Sequence, residues 1–199
     1  MSIERAHRRA AALVKRGWHP AARRVPSPNR DNRPLDAAVT LLVIHNISLP
    51  PGRFTGSAIE DLFTNKLDLG AHPYFAQLKV VRVSAHFLIR RDGRLLQFVS
   101  CDDRAWHAGV SEWRGRANCN DFSIGVELEG TDSVPFTQHQ YSRLARLVRY
   151  LRAAYPAIEG VAGHDEIAPG RKTDPGPVFD WSRLMREAGL PREFRGAGF

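Results

Sequence analysis

Long apolar runs are missing from this sequence, and cysteine is scarce. No stretch approaches the roughly 18 consecutive apolar residues that a membrane-spanning helix needs, so no membrane association is expected. The two cysteines, Cys101 and Cys119, belong to no CxxC pair, which leaves no disulfide framework. The basic start, Met1 to Arg9, is followed only by the short apolar stretch Ala10 to Val14. An export signal needs an apolar core of roughly 7–15 residues and a small-residue cleavage site; neither is found, and a cytoplasmic location is expected. Lys/Arg blocks interleaved with aromatics are also missing, as is any known nucleic-acid motif, so a nucleic-acid partner is not expected.

What is present suits one compact unit. The chain has 199 residues, 43% of them hydrophobic, and is expected to be a single domain over 1–199 with residues 1–16 as a basic N-terminal extension. The net charge of +8 reflects either solvated arginine-rich helix faces or a field that steers an anionic substrate. Nothing suggests more than a monomer.

Several elements are legible. Residues 1–17 read as a short basic amphipathic helix stopped at Gly17, and 19–38 as ordered coil rich in Pro, Asn and Arg. Val39 to His45 is a β-branched and aliphatic run, typical of a strand buried on both faces. Ser57-Ala58-Ile59-Glu60 is a capping box that starts a short helix through Leu62 and Phe63. Val83 to Ile89 and Arg94 to Val99 flank Arg90-Arg91-Asp92-Gly93 and form a hairpin pattern. Ser123 to Leu128 is another strand, with Ser123, Gly125 and Glu127 on one face. Thr137-Gln138-His139-Gln140 is a second capping box. It opens a helix whose Tyr141, Leu144, Leu147, Val148, Leu151 and Tyr155 form one apolar stripe, ended by Pro156. Asp180 caps a last helix through Ala188. The stretch Phe54 to Leu78 shows few strong patterns and is a candidate mobile segment. The mixture is α/β (α+β), a central mixed β-sheet flanked by helices.

Chemistry concentrates in a few places. His45 closes an apolar strand, where a lone histidine would ordinarily be a satisfied core residue. His164 and Asp174 lie in the Gly- and Pro-dense stretch from Gly163 to Gly176, where few side chains serve a core and function is common. Two imidazoles and a carboxylate make a tetrahedral zinc site with one position open, hence hydrolysis. Glu127 sits on an otherwise apolar strand, where a carboxylate is costly unless paired or used. It is either an arginine's salt-bridge partner or a general base; Glu129, nearer the strand end, shares its face and is expected to be more exposed. Lys172, two residues before Asp174, is either a solvated lysine or an oxyanion stabiliser. His86 and His107 could each ligate a metal on composition alone but are held as packing or supporting residues, His72 is unassigned, and His7, His19 and His139 are expected at the surface.

These motifs resemble a family. Val43 to Gly52, Arg82 to Ile89, Arg104 to Val110, Asn120 to Gly130 and Gly163 to Pro177 resemble, in order, the blocks of bacterial N-acetylmuramoyl-L-alanine amidases of the amidase-2 type. The resemblance implies a fold shared with T7-type lysozyme and peptidoglycan recognition proteins. It implies one Zn2+ per chain held by His45, His164 and Asp174, with Glu127 as general base and Lys172 as oxyanion stabiliser. Phage and animal relatives carry Cys at the third ligand position, so Asp174 favours the cytosolic branch that acts on 1,6-anhydro-muropeptides. The implied reaction is hydrolysis of the amide between the muramyl lactyl group and L-alanine, in peptidoglycan recycling, with an indirect influence on β-lactamase induction. Muropeptides are anionic, so Arg82 and Arg171 are reasonable anchors for the stem peptide. Trp106 could stack on the sugar and Asn46 could hydrogen-bond the peptide. Competing readings are a non-catalytic peptidoglycan-binding module, which typically loses a ligand, and a regulator that binds through its positive surface.

Overall fold

The computed structural model describes residues 17–195; the helix expected before Gly17 lies outside them. The elements, in order, are β1 (Arg23–Arg24), β2 (Arg30–Asn32), β3 (Leu41–Ile47), α1 (Ala58–Phe63), β4 (Phe87–Ile89) and β5 (Leu95–Gln97). They continue with β6 (Asp103–Ala105), β7 (Glu112–Trp113), β8 (Arg116–Ala117), β9 (Ser123–Glu129), α2 (Gln138–Ala154), β10 (Gly160–Gly163), α3 (His164–Ile167) and α4 (Trp181–Ala188). One six-stranded sheet, in the order β1-β5-β4-β9-β3-β10, forms the centre. Its pairings are parallel except for the antiparallel hairpin of β4 and β5.

The two longest strands are central because their sequences suit burial on both faces. All seven residues of β9 and the first five of β3 are buried. On one face Leu42, Ile44, Ile124, Val126 and Leu128 meet α2 and α4. Helix α2 presents Tyr141, Leu144, Leu147, Val148 and Leu151, all buried; each such side chain contributes about 1.5–3 kcal/mol of burial free energy. Its capping box forms as the sequence predicts: Gln140 N donates to Thr137 Oγ1 at 3.1 Å and Thr137 N donates to Gln140 Oε1 at 3.0 Å. Asp180 likewise caps α4, its Oδ1 accepting from Arg183 N at 2.8 Å.

Other expectations are revised. The capping box at Ser57 does not form, because Ser57 Oγ donates to Asp61 Oδ2 at 2.6 Å and the Glu60 carboxylate is taken by Arg23 and Arg90. The hairpin strands are shorter than predicted, although the turn is there: Gly93, at φ +82°, donates to Arg90 O at 2.9 Å. The coil over 19–38 contributes β1, parallel to β5, and β2, antiparallel to β6. Between Phe54 and Leu78, α1 and a 3-10 turn are tied down by buried Ile59, Phe63 and Phe75. β10 is absent from the pattern reading; its Gly-Val-Ala-Gly sequence carries too little alternation to register as a strand.

Candidate metal centre

The site lies on the sheet face opposite α2, toward the C-terminal ends of the parallel strands. Period two along β3 turns Leu41, Val43 and His45 to that face. In the parallel register His45 stands beside Glu127 of β9, and Val43 beside Gly125. β10 pairs with β3 so that Gly163 lies beside Ile44, and the chain enters α3 at the next residue. His164 is thereby delivered next to His45 from a remote part of the sequence. Asp174 returns on the loop after α3, where its carbonyl accepts from Asp165 N at 2.9 Å. Asn46 Nδ2 fastens the same loop by donating to Pro175 O at 3.1 Å and Asp132 Oδ1 at 2.6 Å.

Three donor atoms converge. His45 Nδ1 lies 3.0 Å from His164 Nδ1 and 3.0 Å from Asp174 Oδ2, and His164 Nδ1 lies 3.1 Å from the same oxygen. Both histidines are buried and Asp174 is partly buried. His164 Nε2 faces Ala108 O at 3.0 Å. A carbonyl only accepts, so Nε2 carries the proton and Nδ1 presents a bare lone pair in the neutral ring. Burial lowers the His45 pKa to about 4, opposed in part by Asp174, so that imidazole is neutral near pH 7. Burial also opposes charge on Asp174, but the His164 and His45 rings outweigh it and hold its carboxyl below the usual range. The donor set suits zinc. Ligands about 2.0–2.1 Å from a tetrahedral zinc stand about 3.3 Å apart, close to the 3.0 to 3.1 Å edges seen here.

Glu127 lies beside His45 on the neighbouring strand. Its side chain is buried, and Oε2 has no hydrogen-bond partner among the described residues. Burial first, and then the Asp174 charge, push its pKa well above the usual carboxylate range, while Lys172 pulls the other way. Lys172 lines a cleft together with Asn46, Asp132, Arg171 and Asp174. The structure therefore gathers His45, His164, Asp174, Glu127, Lys172, Asn46 and Arg171 into one region.

The remaining residues fall elsewhere or serve otherwise. Arg82 is exposed; it donates to Lys79 O and Val81 O and lines a separate cavity beside Leu62 and Leu67. Trp106 is partly buried, its backbone N bonded to Ser84 Oγ at 3.1 Å. Arg171 Nη2 donates to Ala108 O at 2.6 Å and to Val110 O at 2.5 Å. Glu129 is buried instead of exposed: Arg90 Nη1 donates to it at 2.5 Å and Arg91 N at 3.1 Å. His19 is half-buried, its ring centroid 4.2 Å from that of Tyr150, whereas His139 is at the surface. His72 caps the 3-10 turn by accepting from Tyr74 N at 3.1 Å. His107 stands directly behind the metal cluster, its Nδ1 2.9 Å from His45 Nε2. The sequence signal for it was Gly125: a Cβ there would lie 2.4 Å from His107 Cγ, so the glycine in an otherwise bulky strand makes room for the ring.

Comparison with known proteins agrees with this geometry. The Amidase_2 family, N-acetylmuramoyl-L-alanine amidase, matches residues 35–177. The chain is 59% identical over 173 residues to the 1,6-anhydro-N-acetylmuramyl-L-alanine amidase AmpD of Escherichia coli K12, covering 86% of this chain and 94% of that protein. A crystal structure of a selenomethionine AmpD derivative superposes with a TM-score of 0.86 at 57% identity, covering 88% of this chain and 98% of that one. A more distant structure is the E. coli amidase AmiD in complex with its substrate anhydro-N-acetylmuramic acid-L-Ala-D-gamma-Glu-L-Lys. It aligns with a TM-score of 0.56 at 32% identity over 80% of this chain and 61% of that one.

Proposed function

We propose, from the premise that the chain belongs to the Amidase_2 family of N-acetylmuramoyl-L-alanine amidases, that it is a zinc-dependent 1,6-anhydro-N-acetylmuramyl-L-alanine amidase. The observation that carries the metal part of this reading is the triangle of two histidine nitrogens and one carboxylate oxygen, beside a buried carboxyl whose Oε2 has no hydrogen-bond partner among the described residues. His45, His164 and Asp174 would hold the zinc, which when bound would supply Lewis acidity and lower the pKa of water at the site toward neutrality.

The chain's own residues do the rest. Glu127, whose Oε2 has no partner among the described residues, takes a proton from the attacking water. Having taken that proton, Glu127 hands it to the L-alanine amine as it leaves. The Lys172 ammonium shares the negative charge that develops on the carbonyl oxygen. Asn46 and Arg171 line the same cleft and are the parts of the proposed substrate-binding set beside the metal; Arg82 and Trp106, which lie outside that cleft, are the proposed outer members of the set. The substrate is an anionic muropeptide, and a net charge of +8 favours its approach. Buried Cys101 and Cys119 are both free thiols, which fits a reducing cytosol, the compartment we propose for a role in peptidoglycan recycling. We read residues 1–199 as one amidase domain with 1–16 as an extension, acting as a monomer.

The test is stem-peptide release from purified anhydro-muropeptide, followed by mass spectrometry with zinc content measured on each protein. Wild type is expected to be active with one zinc per chain. Glu127→Ala is expected to keep zinc and lose activity, and Asp174→Ala to lose both. No release by zinc-loaded wild type would overturn the amidase reading in favour of a binding module.

A further inference from the structure

We infer that His107 is a positioning residue which sets the tautomer and ring orientation of His45, and that residues 107 and 108 together brace both histidines of the metal centre. The inference rests on the metal reading above. It starts from a single carbonyl, that of Cys119. Ser123 Oγ lies 2.5 Å from Cys119 O and 3.2 Å from His107 Nε2. The carbonyl only accepts, so the serine proton is committed to it and Ser123 Oγ accepts from the ring. His107 Nε2 therefore carries a proton, and in the neutral ring its Nδ1 is bare. That bare nitrogen accepts from His45 Nε2 at 2.9 Å, which leaves His45 Nδ1 bare and aimed at His164 Nδ1 and Asp174 Oδ2. Two lone pairs and a carboxylate oxygen then face one another with no proton between them, an arrangement that a cation relieves.

The brace is itself held. Asn120 Oδ1 accepts from His107 N at 3.1 Å and from Ala108 N at 2.8 Å. Ala108 O in turn accepts from His164 Nε2 and from Arg171 Nη2. One dipeptide thus supplies the acceptor behind each ligating imidazole, and Arg171 strengthens it from the other side. Gly125 admits the His107 ring to this place. Groups that orient a metal-bound imidazole are typically worth roughly 10–100-fold in metal affinity.

The test measures zinc affinity by equilibrium competition with a chromophoric chelator, with 15N NMR of the histidine rings in the zinc-free protein. His107→Leu keeps bulk and removes the acceptor; His107→Asn puts an acceptor oxygen where Nδ1 stood. His107→Leu is expected to weaken zinc binding roughly 10–100-fold and to release His45 into mixed tautomers, while His107→Asn restores most of the affinity. Ser123→Ala, which removes only the far end of the relay, is expected to weaken binding in the same direction and decides the matter if His107→Leu does not fold. Wild-type affinity in these variants, or equal losses in Leu and Asn, would overturn the inference. A wild-type protein that binds no zinc would instead overturn the metal reading beneath it.

Discussion

Glu127 is predicted to cost the protein stability that its chemistry requires. The carboxyl is buried in the centre of the sheet, with Oε2 unpartnered among the described residues, and a buried polar group left unpaired costs about 1–3 kcal/mol. Replacing it with methionine, of similar length and apolar, removes that cost. For a domain of this size 1 kcal/mol corresponds to about 2–4 °C in Tm, so Glu127→Met is expected to melt roughly 2–12 °C above wild type near pH 7. The sign with pH follows from burial, which raises the Glu127 pKa well above its ordinary 4.5. A raised carboxyl pKa means the folded state holds the proton more tightly than the unfolded state. Glu127 therefore contributes its full stability below 4.5 and loses it as pH rises through the folded pKa. The advantage of the methionine variant should accordingly shrink on acidification toward pH 4.5. Activity moves the opposite way, with Glu127→Gln and Glu127→Met losing about 10²–10⁴-fold in kcat while retaining zinc. The assay is thermal melting of zinc-free protein across pH beside muropeptide hydrolysis by the zinc-loaded form. A methionine variant less stable than wild type at every pH would refute the reasoning, because it would mean that Glu127 has a stabilising partner.

Zinc itself should stabilise the fold. At a free concentration 1,000 times its Kd it is expected to add about 4 kcal/mol, seen as a rise in Tm that Asp174→Ala abolishes. His86 carries a second acid sensitivity. Burial and the neighbouring Arg33 guanidinium lower its pKa to about 3 from 6.5. The unfolded state then binds the proton first, and stability should fall between pH 6.5 and 3 by up to about 1.4 kcal/mol per pH unit. Urea titrations of wild type and His86→Gln over that range measure it, and identical slopes would count against the assignment. Arg90 joins α1 to β9 by pairing with both Glu60 and Glu129. Arg23 still pairs Glu60, but Arg90→Met leaves the buried Glu129 carboxylate without its ion-pair partner and is expected to destabilise by about 3–5 kcal/mol, a loss that Glu129→Leu in the same chain should partly reverse.

What the sequence could and could not show follows from range of interaction. β3, β9 and α2 were legible because their signals are local: apolar runs, a capping box, a 3.6-residue stripe. His45, His164 and Asp174 were legible for a related reason, since histidine and aspartate beside an apolar strand or within a Gly/Pro loop contradict their surroundings. Glu127 stood out on the same logic. What remained hidden depends on pairing across the chain. Nothing local to Glu129 shows that Arg90 reaches it, so its burial was missed. Nothing local to Arg171 shows that Ala108 and Val110 receive its guanidinium. β10 is four residues long and contains two glycines, and its identity as a strand comes only from lying along β3. That pairing is also what seats His164 beside His45. The least legible element of the sheet thus does as much for the site as the most legible one, because it shortens a separation of 119 residues to 3.0 Å between two nitrogens. Gly163 ends that strand where a Cβ would lie 2.9 Å from Pro175 Cδ. A larger residue there would press on the loop that carries Asp174, so the weak strand signal and the close approach of Asp174 have the same cause.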